Sequence, residues 1–226
     1  MTDAMTTGTA ETSNREGAIT DYLRNFARVR RGTLQLVAGL TDEQSAYTPG
    51  RDSWSVAQIL DHLLLTEALY RVQILRLLDL AHEGKRSNID ISFAELDLSL
   101  PFIPKALMPA LSVPLTVMNM FVPHAVREAL LRFPFVKAKS PGISEPGPVK
   151  PIAVLREQME SSREVTESVL SGALPPSAGR VTVTHPLFGR NTIAKILALM
   201  AAHEERHGLQ IRGIAGQPGF PAGINS

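Results

Sequence analysis

No cysteine occurs in the chain. Disulfides, zinc–thiolate sites and cysteine nucleophiles are thereby excluded, and histidine remains the nitrogen or sulfur donor best suited to a borderline metal ion. An excess of charge of either sign is missing as well: 23 Lys and Arg stand against 22 Asp and Glu. Without a global field to draw in nucleic acid or an anionic membrane, no nucleic-acid partner is expected. Residues 1–14 have no basic start and no apolar run. Rich in Thr, Ser, Ala and Gly, they read as a flexible tail and not as a secretion signal, so the expected location is cytoplasmic. With 226 residues, 44% of them hydrophobic, there is material for one substantial core. The expectation is a single domain over residues 15–214, interrupted by an insertion at 84–147 and followed by a C-terminal tail at 215–226.

Four stretches carry a helical period. From about Glu16 to Leu40, the residues Ile19, Tyr22, Leu23, Phe26, Val29, Leu36, Val37 and Leu40 recur at three- and four-residue steps. Thr41-Asp42-Glu43-Gln44 then offers an N-cap and an acidic first turn for a short helical piece, before Thr48-Pro49-Gly50 breaks the chain. A second long helix is expected from Ser53 to Ser55 onward to about His82, where Gly84 stops it; Ile59, Leu63, Leu69, Tyr70, Ile74 and Leu77 mark its dry side. A third runs from about Lys150 to Leu170, with Ile152, Leu155, Met159, Val165 and Val169 inward, and a fourth from about Asn191 to Ile214. The predicted fold class is all-α.

The fourth helix holds the most informative residues. Its seam reads Ile193, Ile196, Met200, His203, His207, Gln210, Ile214, so two histidines one turn apart replace apolar residues on the core-facing stripe. His62, one turn from Ile59 on the dry side of the second long helix, adds a third inward imidazole. Burying imidazoles without partners forfeits about 1–3 kcal/mol each. Either a carboxylate, a backbone carbonyl or water satisfies them in a polar core pocket, or a metal ion does; the third histidine favours a three-nitrogen metal site with positions left open for water or substrate. Three ligand imidazoles must be neutral, so activity is expected to fall below about pH 6. His82 at a helix end, His124 in a proline-rich stretch and His185 in a loop are left outside this site.

The Trp54-Ser55-Val56 start, the step from Trp54 to His62, the turn His185-Pro186-Leu187-Phe188-Gly189 and the final His203/His207 pair resemble the DinB/YfiT-like superfamily, over roughly residues 15–83 and 148–214. The resemblance implies a four-helix bundle with one long crossover, commonly a homodimer, that binds a divalent metal through His62, His203 and His207. Nickel or zinc is the metal implied first, iron or manganese next. It further implies thiol-dependent S-transfer or isomerisation with a low-molecular-weight thiol, or a hydrolase, acting on a small-molecule substrate. A non-catalytic interaction module with a structural metal, or none, is the alternative of a different class.

His203-Glu204-Glu205-Arg206-His207 also satisfies H-E-x-x-H, in which the glutamate is the general base of a zinc peptidase. A third ligand after the motif is missing, since neither histidine nor acid follows it. Glu204 reads either as a base behind the metal ligands or as a solvated helix residue. The 84–147 insertion, between the second and third bundle helices, is proline-rich and is expected to be partly helical. Ala106 to Val126 contains no charged residue, but Pro109, Pro114 and Pro123 interrupt any membrane-spanning helix. Short helices lining an apolar substrate cavity or a subunit interface fit better, with membrane-surface contact through 101–139 as a minor alternative.

Overall fold

A computed structural model of the chain describes residues 3–51, 53–84, 88–90, 144–172, 174–185 and 189–222, with backbone alone at 3–16 and 185. Among them are five helices and three short strands: α1 (Asp3–Leu36), α2 (Asp42–Ala46), α3 (Val56–His82), β1 (Asn88–Asp90), α4 (Ile152–Leu170), β2 (Thr182–His185), β3 (Gly189–Asn191) and α5 (Ile193–Ala215). Both expected caps are present. Thr41 and Gln44 form a reciprocal capping box at α2, as do Ser55 and Gln58 at α3, each satisfying two orphan N–H groups. Gly84, past the end of α3, has φ 68°, the left-handed conformation that ends a helix without a Cβ clash.

Helix α1 packs on α4 and α5, and so does α3, which closes a four-helix ring with α1 across from α3. Two apolar clusters occupy its ends. One gathers Phe26, Val29, Ile74, Leu77, Leu170, Ile193 and Leu197, the other Val37, Val56, Leu60, Leu155, Met159 and Ile211. The clusters are met in the same order along α1 and α5 and in the reverse order along α3 and α4. Neighbours α3 and α4 therefore run parallel, and the chain must travel back the length of the bundle between them. With 27 residues in α3, that return is about 40 Å, which gives the long 84–147 connection a geometric reason. The bundle is the predicted fold. Residues 91–143 of the connection lie outside the described residues, and with them the expectations of partial helicity and of surface contact through 101–139. No helix among the described residues is long and apolar enough to cross a membrane.

Three details differ from the sequence reading. Helix α1 starts at Asp3, within the segment read as a flexible tail; once the packed turns from Ile19 onward nucleate a helix, extending it N-terminally costs little. On α4, Val165 is exposed and Thr166 buried, because Thr166 turns in to donate to Glu67 Oε1 at 2.7 Å. The third is a small sheet in the order β1-β2-β3, with Asn88 paired to Thr182 in parallel and Val183 to Asn191 antiparallel. Its signal was the β-branched run Val181-Thr182-Val183-Thr184. Val181 and Val183 are fully buried and cover the end of the first cluster.

Candidate metal centre

Between the two apolar clusters every bundle helix carries a polar residue inward: Arg30 and Thr33 on α1, Glu67 on α3, Thr166 on α4, and Glu204 and His207 on α5, all buried. His62 of α3 and His203 complete this layer. The three histidines come together as the sequence predicts, with one ring nitrogen from each lying within 4.8 Å of the others. His203 Nε2 is 3.3 Å from His62 Nε2 and 3.1 Å from His207 Nε2. His62 and His207 are 4% and 5% exposed, so water cannot solvate this cluster freely.

The outer ring nitrogens decide what these contacts are. His62 Nδ1 lies 2.7 Å from the Ser144 carbonyl oxygen, and His207 Nδ1 lies 3.0 Å from Gln210 Oε1, the amide being oriented oxygen-inward. Carbonyl oxygens only accept, so both Nδ1 atoms carry the proton, and in a neutral ring both Nε2 atoms are then acceptors. Only His203 can contribute an N–H to the cluster, and that one proton would have to serve both neighbours. A divalent ion removes the conflict. Zinc–imidazole bonds of about 2.0–2.1 Å in a tetrahedron set their nitrogens about 3.3 Å apart, close to the two spacings from His203, 3.3 and 3.1 Å. Outer carbonyls that fix the tautomer of a ligating histidine are a usual part of such sites. The residues present fit a metal ion.

Proton affinities agree. Burial, above all, lowers the pKa of His62, with the Arg206 charge adding to it against the upward pull of Ser144 and Asp61. Burial holds His207 down to about 3, with His62 adding to it. His203 is well below the ordinary imidazole range through burial first and then its two neighbours. The cluster is thus neutral at pH 7, ready to bind an ion without first losing protons. Loss of function to acid should accordingly set in lower than the pH 6 expected from an ordinary imidazole. Trp54 walls one side, its ring centroid 4.8 Å from that of His62 and 6.3 Å, nearly parallel, from that of His207.

Glu204 is not the solvated residue that its neighbours in sequence suggest. It is 1% exposed, and its two oxygens accept from Arg30 Nε at 2.9 and 3.1 Å, one of them also from Nη2 at 3.0 Å. Arg30 reaches Glu67 Oε2 at 2.7 Å and the Met159 carbonyl, while Arg71 donates to Thr166 and Ser162. One network thus ties all four bundle helices. Burial alone would lower the Arg30 pKa, but Glu204 and Glu67 more than offset it, and the net shift is upward. Sequence reading missed Arg30, Glu67 and Thr166, although Arg30 and Glu67 stand at core-period positions: Arg30 follows Phe26 by one turn, and Glu67 follows Leu63. Of the other histidines, His82 turns back onto the Leu78 carbonyl, His185 ends β2 with only its backbone described, and His124 lies outside the described residues.

The model of the DinB superfamily matches residues 25–211, most of the chain and all three histidines. The chain belongs to the DinB superfamily. No curated protein and no solved structure matches it closely. For a DinB protein of this kind, the family match and the bundle topology agree, and the three-histidine cluster lies where α3 and α5 face each other.

Proposed function

We propose that this DinB protein is a metal-dependent enzyme whose His62, His203 and His207 hold one divalent ion, nickel or zinc before iron or manganese. The reaction we favour is thiol-dependent S-transfer to a small apolar electrophile, with hydrolysis at the same site as the nearest variant. One observation carries this reading: two imidazoles whose Nδ1 atoms face carbonyl oxygens bring their Nε2 atoms to a third, at 3.3 and 3.1 Å. No fourth protein ligand joins the cluster among the described residues, which favours an open coordination position over a closed structural site.

The bound ion would supply Lewis acidity, which stabilises a thiolate, the nucleophilic form of a thiol. The chain's own groups prepare that chemistry. Ser144 and Gln210 keep the Nδ1 protons of His62 and His207 in place, Trp54 restricts water from one side, and the Arg206 charge that depresses all three imidazoles favours an anionic cosubstrate. Peptidase chemistry of the H-E-x-x-H type is disfavoured, because both Glu204 oxygens are engaged by Arg30; we assign Glu204 to the ion-pair network and not to a general base. A homodimer, expected from the family, remains part of the proposal, as does the cytoplasmic location expected from the composition.

Elemental analysis of untagged, chelator-free protein tests the reading, alongside a His203→Ala/His207→Ala double variant. We expect close to one divalent ion per chain, lost in the variant, and a thiol-induced spectral change in the nickel-loaded protein. No metal after incubation with nickel, zinc, manganese or iron would overturn it and leave a non-catalytic module on the same bundle. Metal without a thiol response, but with an exchangeable water, would shift the reaction to hydrolysis.

A further inference from the structure

Asp61, which precedes the proposed ligand His62, is 5% exposed and belongs to no candidate metal cluster among the described residues. Its carboxylate is fully engaged by one stretch of chain: Oδ2 accepts from the Gly147 N–H at 2.9 Å, and Oδ1 from Lys150 Nζ at 2.5 Å. The same stretch includes Ser144, buried at 3%, whose carbonyl accepts from His62 Nδ1. Consecutive helix positions point about 100° apart, so a segment that meets both Asp61 and His62 wraps across α3. Its far end is fixed separately, where the Ile152 N–H donates to Asp42 Oδ1 at 2.8 Å. In this strap Ser144 itself has 3-10 conformation, and residues 145–150, rich in proline and glycine, lie in neither helix nor strand.

We propose that Asp61 is a positioning residue of the metal centre: by pinning Gly147 and Lys150 it holds the Ser144 carbonyl on His62, and so keeps the Nε2 lone pair of that ring aimed at His203. This rests on the metal reading above for its purpose, though not for its geometry. Without Asp61 the strap loses two polar anchors, the His62 ring is free to exchange tautomers, and the three-nitrogen set is no longer preorganised. Outer partners of ligating histidines are typically worth about 10–100-fold in metal affinity.

Two readouts separate the strap from the metal. The first is the imidazole Nδ1–H resonance of His62 in metal-free protein, followed by nitrogen–proton NMR. The second is the affinity for zinc ion alone, measured by competition with a chromophoric chelator. We expect a protected Nδ1–H in the wild type, lost in Asp61→Ala and kept in Asp61→Asn, which preserves an acceptor for Gly147. Zinc affinity should fall about 10–100-fold in Asp61→Ala and far less in Asp61→Asn. Gly147→Pro, which deletes the donated N–H from the strap side, should reproduce the Asp61→Ala result and serves should that variant not fold. A lowered stability with resonance and zinc affinity unchanged in Asp61→Ala or Gly147→Pro would mean a merely structural carboxylate and overturn the proposal. If the resonance behaves as expected but the wild type binds no zinc, the strap assignment holds and the metal reading falls.

Discussion

Two polar clusters share the middle of this bundle and solve burial in opposite ways. Around Arg30, charges of both signs meet: Glu67 and Glu204 flank the guanidinium, Thr166 donates to Glu67, and the Met159 carbonyl accepts from Nη1. Around His203, three like groups converge, and their inward nitrogens have acceptors and hardly a donor among them. The first cluster is complete within the protein. Among the described residues the second is held at its periphery, where Ser144 and Gln210 accept the outer protons. Two such clusters, side by side on the same helices, teach that burial of polar groups is no guide to function by itself. What distinguishes the two is the chemistry of the groups: opposite charges that pair with one another, against like nitrogen donors that converge on one point.

That contrast can be broken by substitution. Arg30→Met should leave two buried carboxylates without their cation and cost about 3–5 kcal/mol of stability, measured by urea unfolding, with or without zinc. The histidine cluster should behave in reverse. His203→Leu should cost little in metal-free protein, yet abolish the stabilisation by zinc, which at a hundredfold excess over the dissociation constant is about 2.7 kcal/mol. An equal loss in both conditions would make the histidines a strut as well.

Acid sharpens the comparison further. The folded protein holds His207 at about 3, whereas the unfolded chain titrates near 6.5. Below 6.5 the unfolded state binds protons that the fold refuses, so this contribution is fully present above pH 6.5 and is lost as pH falls toward 3. Between pH 7 and pH 5 the metal-free protein should lose about 2 kcal/mol through His207 alone, a loss that His207→Leu removes. A pH dependence identical in wild type and variant would show that the ring is not held neutral. The smallest effect is expected at the cap of the helix that carries His62: Ser55→Ala should cost about 1 kcal/mol, with zinc affinity nearly unchanged.

Much of this was legible beforehand, for definite reasons. Helix limits followed from caps and glycines, Thr41, Ser55 and Gly84, which act through local geometry that a sequence displays. The pair His203 and His207 was legible because both occupy the apolar seam, and His62 because it lies one turn from Ile59. Glu204 was not, since its partner Arg30 comes from α1, and contacts between distant helices leave no mark in local periodicity. Val165 was placed inward by its character, but the hydrogen bond between Thr166 and Glu67 rotates α4 the other way. Asp61 carried no signal at all, because the strap it pins is defined by position and not by pattern.

The most direct test of the central claim is X-ray absorption on the zinc-loaded protein. The account predicts one zinc per chain with three imidazole nitrogens at about 2.0–2.1 Å and a further light-atom ligand from solvent, reduced to fewer imidazoles in His62→Ala. Zinc bound through carboxylates, or through fewer than three histidines in the wild type, would contradict it.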